Sequence, residues 1–212
     1  QSGSARASVL PASCFPSIVD GATSVVAKRG TRAIIAREAF AYQRAHSGTP
    51  ILGIPAFYGA LSINDERAAI VIQCIGRDHK DAKGWLPEYR SLSEMTSGIH
   101  SLDVHLSESD IKNIFRQIIT IVYALHQKNI AVVDLSPNNI IVRHNPDDAS
   151  NPWQVWLIDL GSAVVMDHPE QIIAFRGGVT MGYAAREYDE VGSDESSDED
   201  ILSGFTAPPD SR

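Results

Sequence analysis

Residues 134–142 read DLSPNNIIV and follow a short apolar run, which predicts a strand that ends at Asp134. Asn139 precedes a second apolar strand, and residues 158–161, IDLG, place Asp159 at the end of a third. All three polar residues therefore stand where strands end and loops begin, so that they can converge on one point. Two carboxylates and an amide oxygen suit a hard cation such as Mg²⁺ rather than zinc.

Hydrophobic periodicity predicts a mixed chain of helices and strands. Apolar residues recur at helical spacing over 31–46 and 110–128, and Ser107 and Ser109 are alternative N-caps for the second helix. Residues 76–100 are expected to be irregular with one short helix. Strands are predicted at 24–28, 54–63, 68–75, 130–133, 140–142 and 155–158.

Composition limits the classes of protein to which this chain can belong. With 212 residues and 43% hydrophobic residues, the chain can build one domain or two small lobes that share a core. No apolar run reaches the length of a membrane span, and no secretory signal opens the chain. Cys14 and Cys74 are too few for a disulfide framework. We therefore expect no membrane partner and an intracellular setting, cytoplasmic or nuclear.

The formal charge of −8 is unevenly distributed, because seven acidic residues lie within 189–200. Such a run cannot bury apolar surface, so it predicts a disordered tail. The remainder of the chain is nearly neutral. It has no basic face of the kind that nucleic-acid binding requires, and no nucleic-acid partner is expected.

DLSPNNIIV and IDLG together resemble the catalytic loop and the metal-binding loop of protein kinases. Four other segments resemble further kinase motifs in the order of that family: SVVAK at 24–28, REAF at 37–40, IVIQCIG at 70–76 and GGVTMGYAARE at 177–187. REAFAY followed by IPAFYG is particularly similar to divergent protein-kinase-like sequences of fungi. The resemblance covers residues 24–187.

By this resemblance the fold is α+β and two-lobed, with a reduced N-lobe and an incomplete C-lobe. The implied organisation is a loose N-terminal segment, an N-lobe with the hinge, a partial C-lobe and an acidic tail, at 1–10, 11–76, 77–187 and 188–212. ATP with Mg²⁺ would lie between the lobes, and a protein would be the substrate or partner.

The resemblance also assigns residues to ATP. Lys28 would contact the α- and β-phosphates and pair with Glu38. Gln73 and Cys74 would lie in the segment that holds adenine.

The catalytic residues follow from the same resemblance. Asp134 would be the base that orients the acceptor hydroxyl, with Lys28 and Asn139 as its catalytic partners. Asn139 and Asp159 would hold Mg²⁺. A phosphoryl transition state spreads negative charge, so the metal and the lysine must be in place before it forms.

The sequence departs from the kinase pattern in several places. No GxGxxG precedes Lys28, so the hairpin that covers the phosphates is expected to be shortened or missing. Val133 replaces the arginine that pairs with a phosphorylated activation loop, and Arg186 replaces a proline. The large helical block that follows Glu187 in the family is absent from residues 188–212.

Three functions are compatible with this pattern. The first is an ATP-dependent phosphotransferase of the Ser/Thr protein kinase type, or a fragment of one with low activity. The second is a pseudokinase that acts as a nucleotide-binding or scaffolding module. The third is a small-molecule kinase of the aminoglycoside or choline type, which the segment TMGYAARE at 180–187 disfavours because that segment positions protein substrates.

Overall fold

The computed structural model describes residues 5–15, 24–77, 85–97, 106–148 and 150–166. The predicted acidic tail and the segment 177–187 lie outside these ranges. Helices and strands are both present among the described residues. A sheet-rich part comes first in the chain, and a part built around one long helix follows it.

The N-terminal part is a four-stranded antiparallel sheet in the order β1-β2-β4-β3. Its central strands are apolar and buried, as the sequence pattern of 24–28 and 68–75 indicated. The strands are β1 (Arg6–Pro11), β2 (Ser24–Thr31), β3 (Phe57–Ser62) and β4 (Arg67–Gln73).

Strand β1 corrects the expectation that residues 1–10 are loose. It pairs with β2 in antiparallel register from Arg6 opposite Arg29 to Pro11 opposite Ser24. Its small and polar residues carry little strand signal of their own, and the pairing is decided by the neighbouring strand. Pro11 is tolerated because it lies at the end of an edge strand, where its missing N–H costs no ladder hydrogen bond.

Helix α1 (Arg32–His46) packs across this sheet and confirms the helix predicted over 31–46. Its buried face includes Ile35, Ala39 and Tyr42, which recur at spacings of three and four. The Tyr42 ring stacks on that of Phe57 with the ring centroids 6.1 Å apart. This packing fixes the helix face that also carries Glu38.

The second part is organised around the long helix α3, which packs on β8. A three-stranded sheet has the order β5-β7-β8, and β6 pairs with β9. The elements are β5 (Tyr89–Ser91), α2 (Leu92–Ser97), α3 (Glu108–Gln127), β6 (Ile130–Ala131), β7 (Ile140–His144), β8 (Trp153–Leu157) and β9 (Val164–Val165). The expected short helix within 76–100 is α2. Strand β5 was not expected there, because three residues are too few to show a period.

Helix α3 begins at a capping box that decides between the two candidate caps. Ser107 Oγ accepts a hydrogen bond from the Asp110 amide, and the Asp110 carboxylate accepts one from the Ser107 amide. Asp110 also accepts a hydrogen bond of 2.8 Å from Nε1 of the buried Trp153. The cap therefore ties the start of α3 to β8.

One apolar core joins the two parts, with Ile35 and Ile70 on one side and Leu125 and Leu157 on the other. Within the described part of the chain, no helix combines the length and the apolar character needed to cross a bilayer.

Candidate active site

Three charged residues from separate elements meet at one point. Lys28 lies on β2, Glu38 on α1, and Asp159 follows β8. Lys28 Nζ donates hydrogen bonds to Glu38 Oε1 at 3.0 Å and to Asp159 Oδ1 at 2.6 Å. The pairing of Lys28 with Glu38 has the geometry that the resemblance implied, and Asp159 joins the same ammonium group.

Burial dominates the electrostatics of this ion-pair cluster. Loss of solvent raises the pKa of the fully buried Glu38 to about 7, despite the nearby Lys28. Its second oxygen, Oε2, lies 3.0 Å from Lys28 Nζ as an ion pair but has no hydrogen bond of its own. Burial acts to lower the pKa of Lys28, but Glu38 and Asp159 together raise it above its ordinary value. One cation thus faces two carboxylates.

The backbone at Asp159 turns this carboxylate toward the cluster. Asp159 has φ +64°, in the left-handed region that non-glycine residues seldom adopt. The next residue, Leu160, is fully buried in the core, whereas the Asp159 side chain is 44% exposed. Gly161 donates its backbone N–H to Asp159 Oδ1 at 3.0 Å. This strained turn places Leu160 in the core and leaves the neighbouring carboxylate of Asp159 partly exposed.

Asp134 and Asn139 form a second group. Asn139 Nδ2 lies 3.3 Å from Asp134 Oδ2 and 3.2 Å from its carbonyl oxygen. A turn of 3₁₀ helix at Pro137–Asn139 brings the two together. The Ile158 amide donates to the Asn139 carbonyl at 2.8 Å, which places this loop beside the strand end that carries Asp159. The predicted residues therefore form two neighbouring groups.

A cleft of about 480 Å³ opens over the ion-pair cluster. Its walls are mainly apolar, with charged groups at one end, as is usual for small-molecule sites. Five residues predicted for the site line it: Lys28, Glu38, Gln73, Cys74 and Asp159. Asp134 and Asn139 are not among the lining residues, although their neighbour Asn138 is.

The end of β4 is fixed by the segment that precedes β3. Gln73 donates its amide to the Ala56 carbonyl at 2.8 Å, and its side-chain Oε1 accepts from the Ala56 amide at 3.2 Å. Cys74 is half-buried, and its Sγ lies 3.3 Å from the Arg77 carbonyl. Both the backbone N–H and the side-chain Oε1 of Gln73 are thus engaged with Ala56.

Strand β1 forms one wall of the cleft, which the sequence did not predict. Ala7, Ser8 and Val9 line the cleft, opposite or next to Lys28 in the β1–β2 pairing. One strand of cover is therefore present, and a shortened hairpin stays the prediction. The small side chains of Ala7 and Ser8 allow close approach to a ligand.

A second feature missed by sequence reasoning lies at the cleft mouth. The Arg77 guanidinium stacks on the Trp85 ring at 4.3 Å from its centroid, and both line the cleft. Trp85 Nε1 donates to Glu94 at 3.0 Å, and Glu94 in turn accepts from Ser91. The only signal in the sequence was an arginine and a tryptophan in a segment with no secondary-structure period.

With this geometry in place, comparison with known proteins identifies the family. Residues 68–203, well over half of the chain, match the protein kinase domain. This chain belongs to the protein kinase domain family. The kinase-like α+β fold that the sequence predicted is thereby confirmed.

A calcium/calmodulin-dependent protein kinase, cmkA of Emericella nidulans, is 35% identical to this kinase-family chain over 81 residues. The matched stretch covers 38% of this chain and 18% of the relative. The similarity supports a kinase-type function. It does not extend to the whole of the relative, whose substrates and partners are not transferred to this chain.

Asp159 and Asn139 carry oxygen donors of the kind that magnesium prefers. Lys28 contacts both Glu38 and Asp159, and the Asp159 side chain is 44% exposed. Because Asn139 directs its Nδ2 toward Asp134, its amide oxygen is the atom available to a cation. Within the described ranges, no group of three or more His, Cys, Asp or Glu forms a metal site. A carboxylate and an amide oxygen suit Mg²⁺, which completes its coordination with water and phosphate oxygens.

Proposed function

We propose that this chain is an ATP-dependent phosphotransferase of the Ser/Thr protein kinase type. The observation that carries the proposal is the Lys28 ammonium, held by Glu38 and Asp159 at the charged end of an apolar cleft. A lysine fixed in this way is placed for the phosphates of a nucleotide whose base occupies the apolar end.

The cleft walls suit a purine. Val26 on β2, Ile72 on β4 and Ile158 before Asp159 all line it. Apolar surfaces on both sides of a flat base remove it from water, and the main chain near Gln73 and Cys74 can supply hydrogen bonds to its edge. Lys28, at the other end, would contact the α- and β-phosphates.

Asp159 and Asn139 would hold Mg²⁺, which would neutralise charge on the phosphates during transfer. Asp134 would accept the proton of the acceptor hydroxyl and orient it for in-line attack on the γ-phosphorus. Asn139, which bonds Asp134, would fix the orientation of that carboxylate. The bond to the γ-phosphorus forms as the bond to the β,γ-bridging oxygen breaks, and ADP leaves.

A pseudokinase is the alternative that specific observations favour. The strand β1 that roofs the cleft lacks a GxGxxG motif, and Val133 precedes Asp134 where the family has arginine. A module of this kind would bind nucleotide but transfer phosphate slowly. For both functions we propose a protein partner and an intracellular setting, in keeping with a sequence that has only 2 cysteines.

Thermal unfolding with ADP or ATP, each with and without Mg²⁺, tests nucleotide binding. At a nucleotide concentration of 100 Kd, we expect a rise in Tm of roughly 5–10 °C that requires Mg²⁺. Asp159→Ala should abolish the metal-dependent part, whereas Asp65→Ala, which removes an exposed loop carboxylate, should not. The absence of any metal-dependent shift at millimolar nucleotide would refute the proposal.

Phosphotransfer separates the two functions. We expect slow transfer from ATP to a generic protein substrate and its complete loss in Asp134→Asn, which keeps the shape but removes the base. Nucleotide binding without transfer would favour the pseudokinase. Transfer that survives in Asp134→Asn would show that the role given to Asp134 is wrong.

A further inference from the structure

We propose that Lys128 is a positioning residue that anchors helix α1 and thereby keeps Glu38 on Lys28. Its catalytic consequence rests on the function proposed above, but the anchor itself rests on geometry alone. Lys128 is the C-cap of α3, six residues before Asp134. It therefore lies at the C-terminal end of α3, which contacts the C-terminal end of α1.

Three backbone carbonyls surround the Lys128 ammonium. Nζ donates to the carbonyl oxygens of Ala45, Ser47 and Thr49, each at 2.7 Å. Ala45 lies in the last turn of α1, and the other two follow its end. Gly48, with φ +66°, turns the chain between them, and this turn lets the carbonyls converge. All three donors of the lysine are therefore satisfied by one helix end.

The contact is reciprocal. Arg44 Nε, in the last turn of α1, donates to the Lys128 carbonyl at 3.2 Å. The C-terminal ends of α1 and α3 both carry partial negative charge, and each receives a cation from the other helix. Without the Lys128 ammonium, the three carbonyls at the end of α1 would lose this donor.

The anchor is placed to control the ion-pair cluster. Glu38 lies two turns before Ala45 on the same helix, so a shift of the helix end tilts its carboxylate away from Lys28. Asn129, immediately after Lys128, has φ +58° and leads into β6 and on to Asp134. Lys128 therefore joins the helix that carries Glu38 to the segment that leads through β6 to the proposed base.

Amide hydrogen exchange measured on the full chain tests this directly. In Lys128→Met, the amides of residues 39–46 should exchange at least about tenfold faster, because hydrogen bonds to a charged donor are lost. The interior of α3 is the internal reference and should not change. Lys112→Met, which removes an exposed lysine on the same helix, is the matched control. Equal exchange over 39–46 in the wild type and Lys128→Met would overturn the proposal.

Chemical labelling of Lys28 gives a readout that general loosening of the fold would not reproduce. An amine-reactive acylating reagent should modify Lys28 several-fold faster in Lys128→Met, since a displaced Glu38 no longer holds and shields the Lys28 Nζ. The rate at the exposed Lys112 should stay constant. Unchanged labelling of Lys28 would show that the anchor does not act on the cluster.

Lys128→Arg covers the case in which Lys128→Met does not fold. Its planar guanidinium cannot serve three converging carbonyls, so an intermediate exchange rate over 39–46 is expected, and a wild-type rate would count against the anchor. Exchange and labelling need no nucleotide. If both change as expected while no nucleotide binds, the anchor stands and the proposed function fails.

Discussion

Lys28 Nζ and Asp159 Oδ1 lie 2.6 Å apart, although 131 residues separate them in the chain. Glu38 contacts the same ammonium from a third element. The cluster can form only when the N-terminal sheet, α1 and the loop after β8 are all in their native positions. A change to any of these elements should therefore alter the positions of the charged side chains at the cleft.

Glu38 makes the stability of the fold depend on pH. Burial raises its pKa in the folded state from 4.5 to about 7, so over that window the folded protein keeps a proton that the unfolded chain releases. The stability from this group is fully present below about pH 4.5 and is lost as the pH rises to 7. Glu38→Gln imitates the protonated form and should lack this loss.

Urea unfolding at half-unit steps from pH 4.5 to 7.5 measures this effect. The difference in unfolding free energy between wild type and Glu38→Gln should change by on the order of 3 kcal/mol across the window. The direction is fixed: the wild type loses stability relative to the variant as the pH rises. Parallel pH profiles would mean that Glu38 is ionised throughout the window.

Gly161 leaves no room for a side chain at the cluster. A Cβ there would lie 2.9 Å from Asp159 Oδ1, 3.1 Å from Lys28 Nζ and 3.2 Å from Glu38 Oε2. We expect Gly161→Ala to weaken Mg-ADP binding about tenfold or more, because misplaced charges lose their fixed geometry. Calorimetric titration measures this. Gly30→Ala, whose Cβ meets only Ala5 and Ile35, is the control and should bind normally.

Trp85 should report ligand binding at the cleft mouth. Its ring stacks on Arg77 and lines the cleft, so nucleotide should change the intrinsic fluorescence, and Trp85→Phe should remove that signal. Trp85→Ala should weaken nucleotide binding about tenfold with or without Mg²⁺, through lost ring contact. Trp156 packs on Tyr89 and does not line the cleft, so Trp156→Phe should change neither the fluorescence response to nucleotide nor the affinity for it. A fluorescence response retained in Trp85→Phe would place the ligand elsewhere.

The cap of α3 offers a matched pair of serines. Ser107→Ala removes the side chain of the capping box and should cost about 1 kcal/mol of unfolding free energy. Ser109→Ala changes an exposed residue in the first turn and should stay within about 0.5 kcal/mol of wild type. Urea unfolding of both variants compares them. Equal losses of unfolding free energy in the two variants would show that Ser107 and Ser109 both cap the helix.

The regular elements with a clear period were predictable from the sequence. Helices α1 and α3 were predicted within two residues of their ends, because each buries one continuous apolar face. Strands β2 and β4 were predicted because each contains a run of apolar residues, 25–27 and 68–72. The charged residues of the site were found from short motifs whose order along the chain resembles a kinase.

Strand β1 was not predictable, since its small polar residues form a strand only against the β2 backbone. The short strands β5 and β9 are likewise decided by their partners. The same holds for the cleft mouth, where Arg77 and Trp85 meet across a segment with no pattern.

The sequence by itself determined the kinase-like order of motifs, the long helices and the choice of Lys28, Glu38 and Asp159 as candidate site residues. These depend on local chemistry and periodicity, which a linear chain displays. Only the tertiary structure decided that both carboxylates share one ammonium, and that Lys128 holds the end of α1. Such contacts depend on distances between segments far apart in the chain. Packing sets those distances, and no local pattern records them.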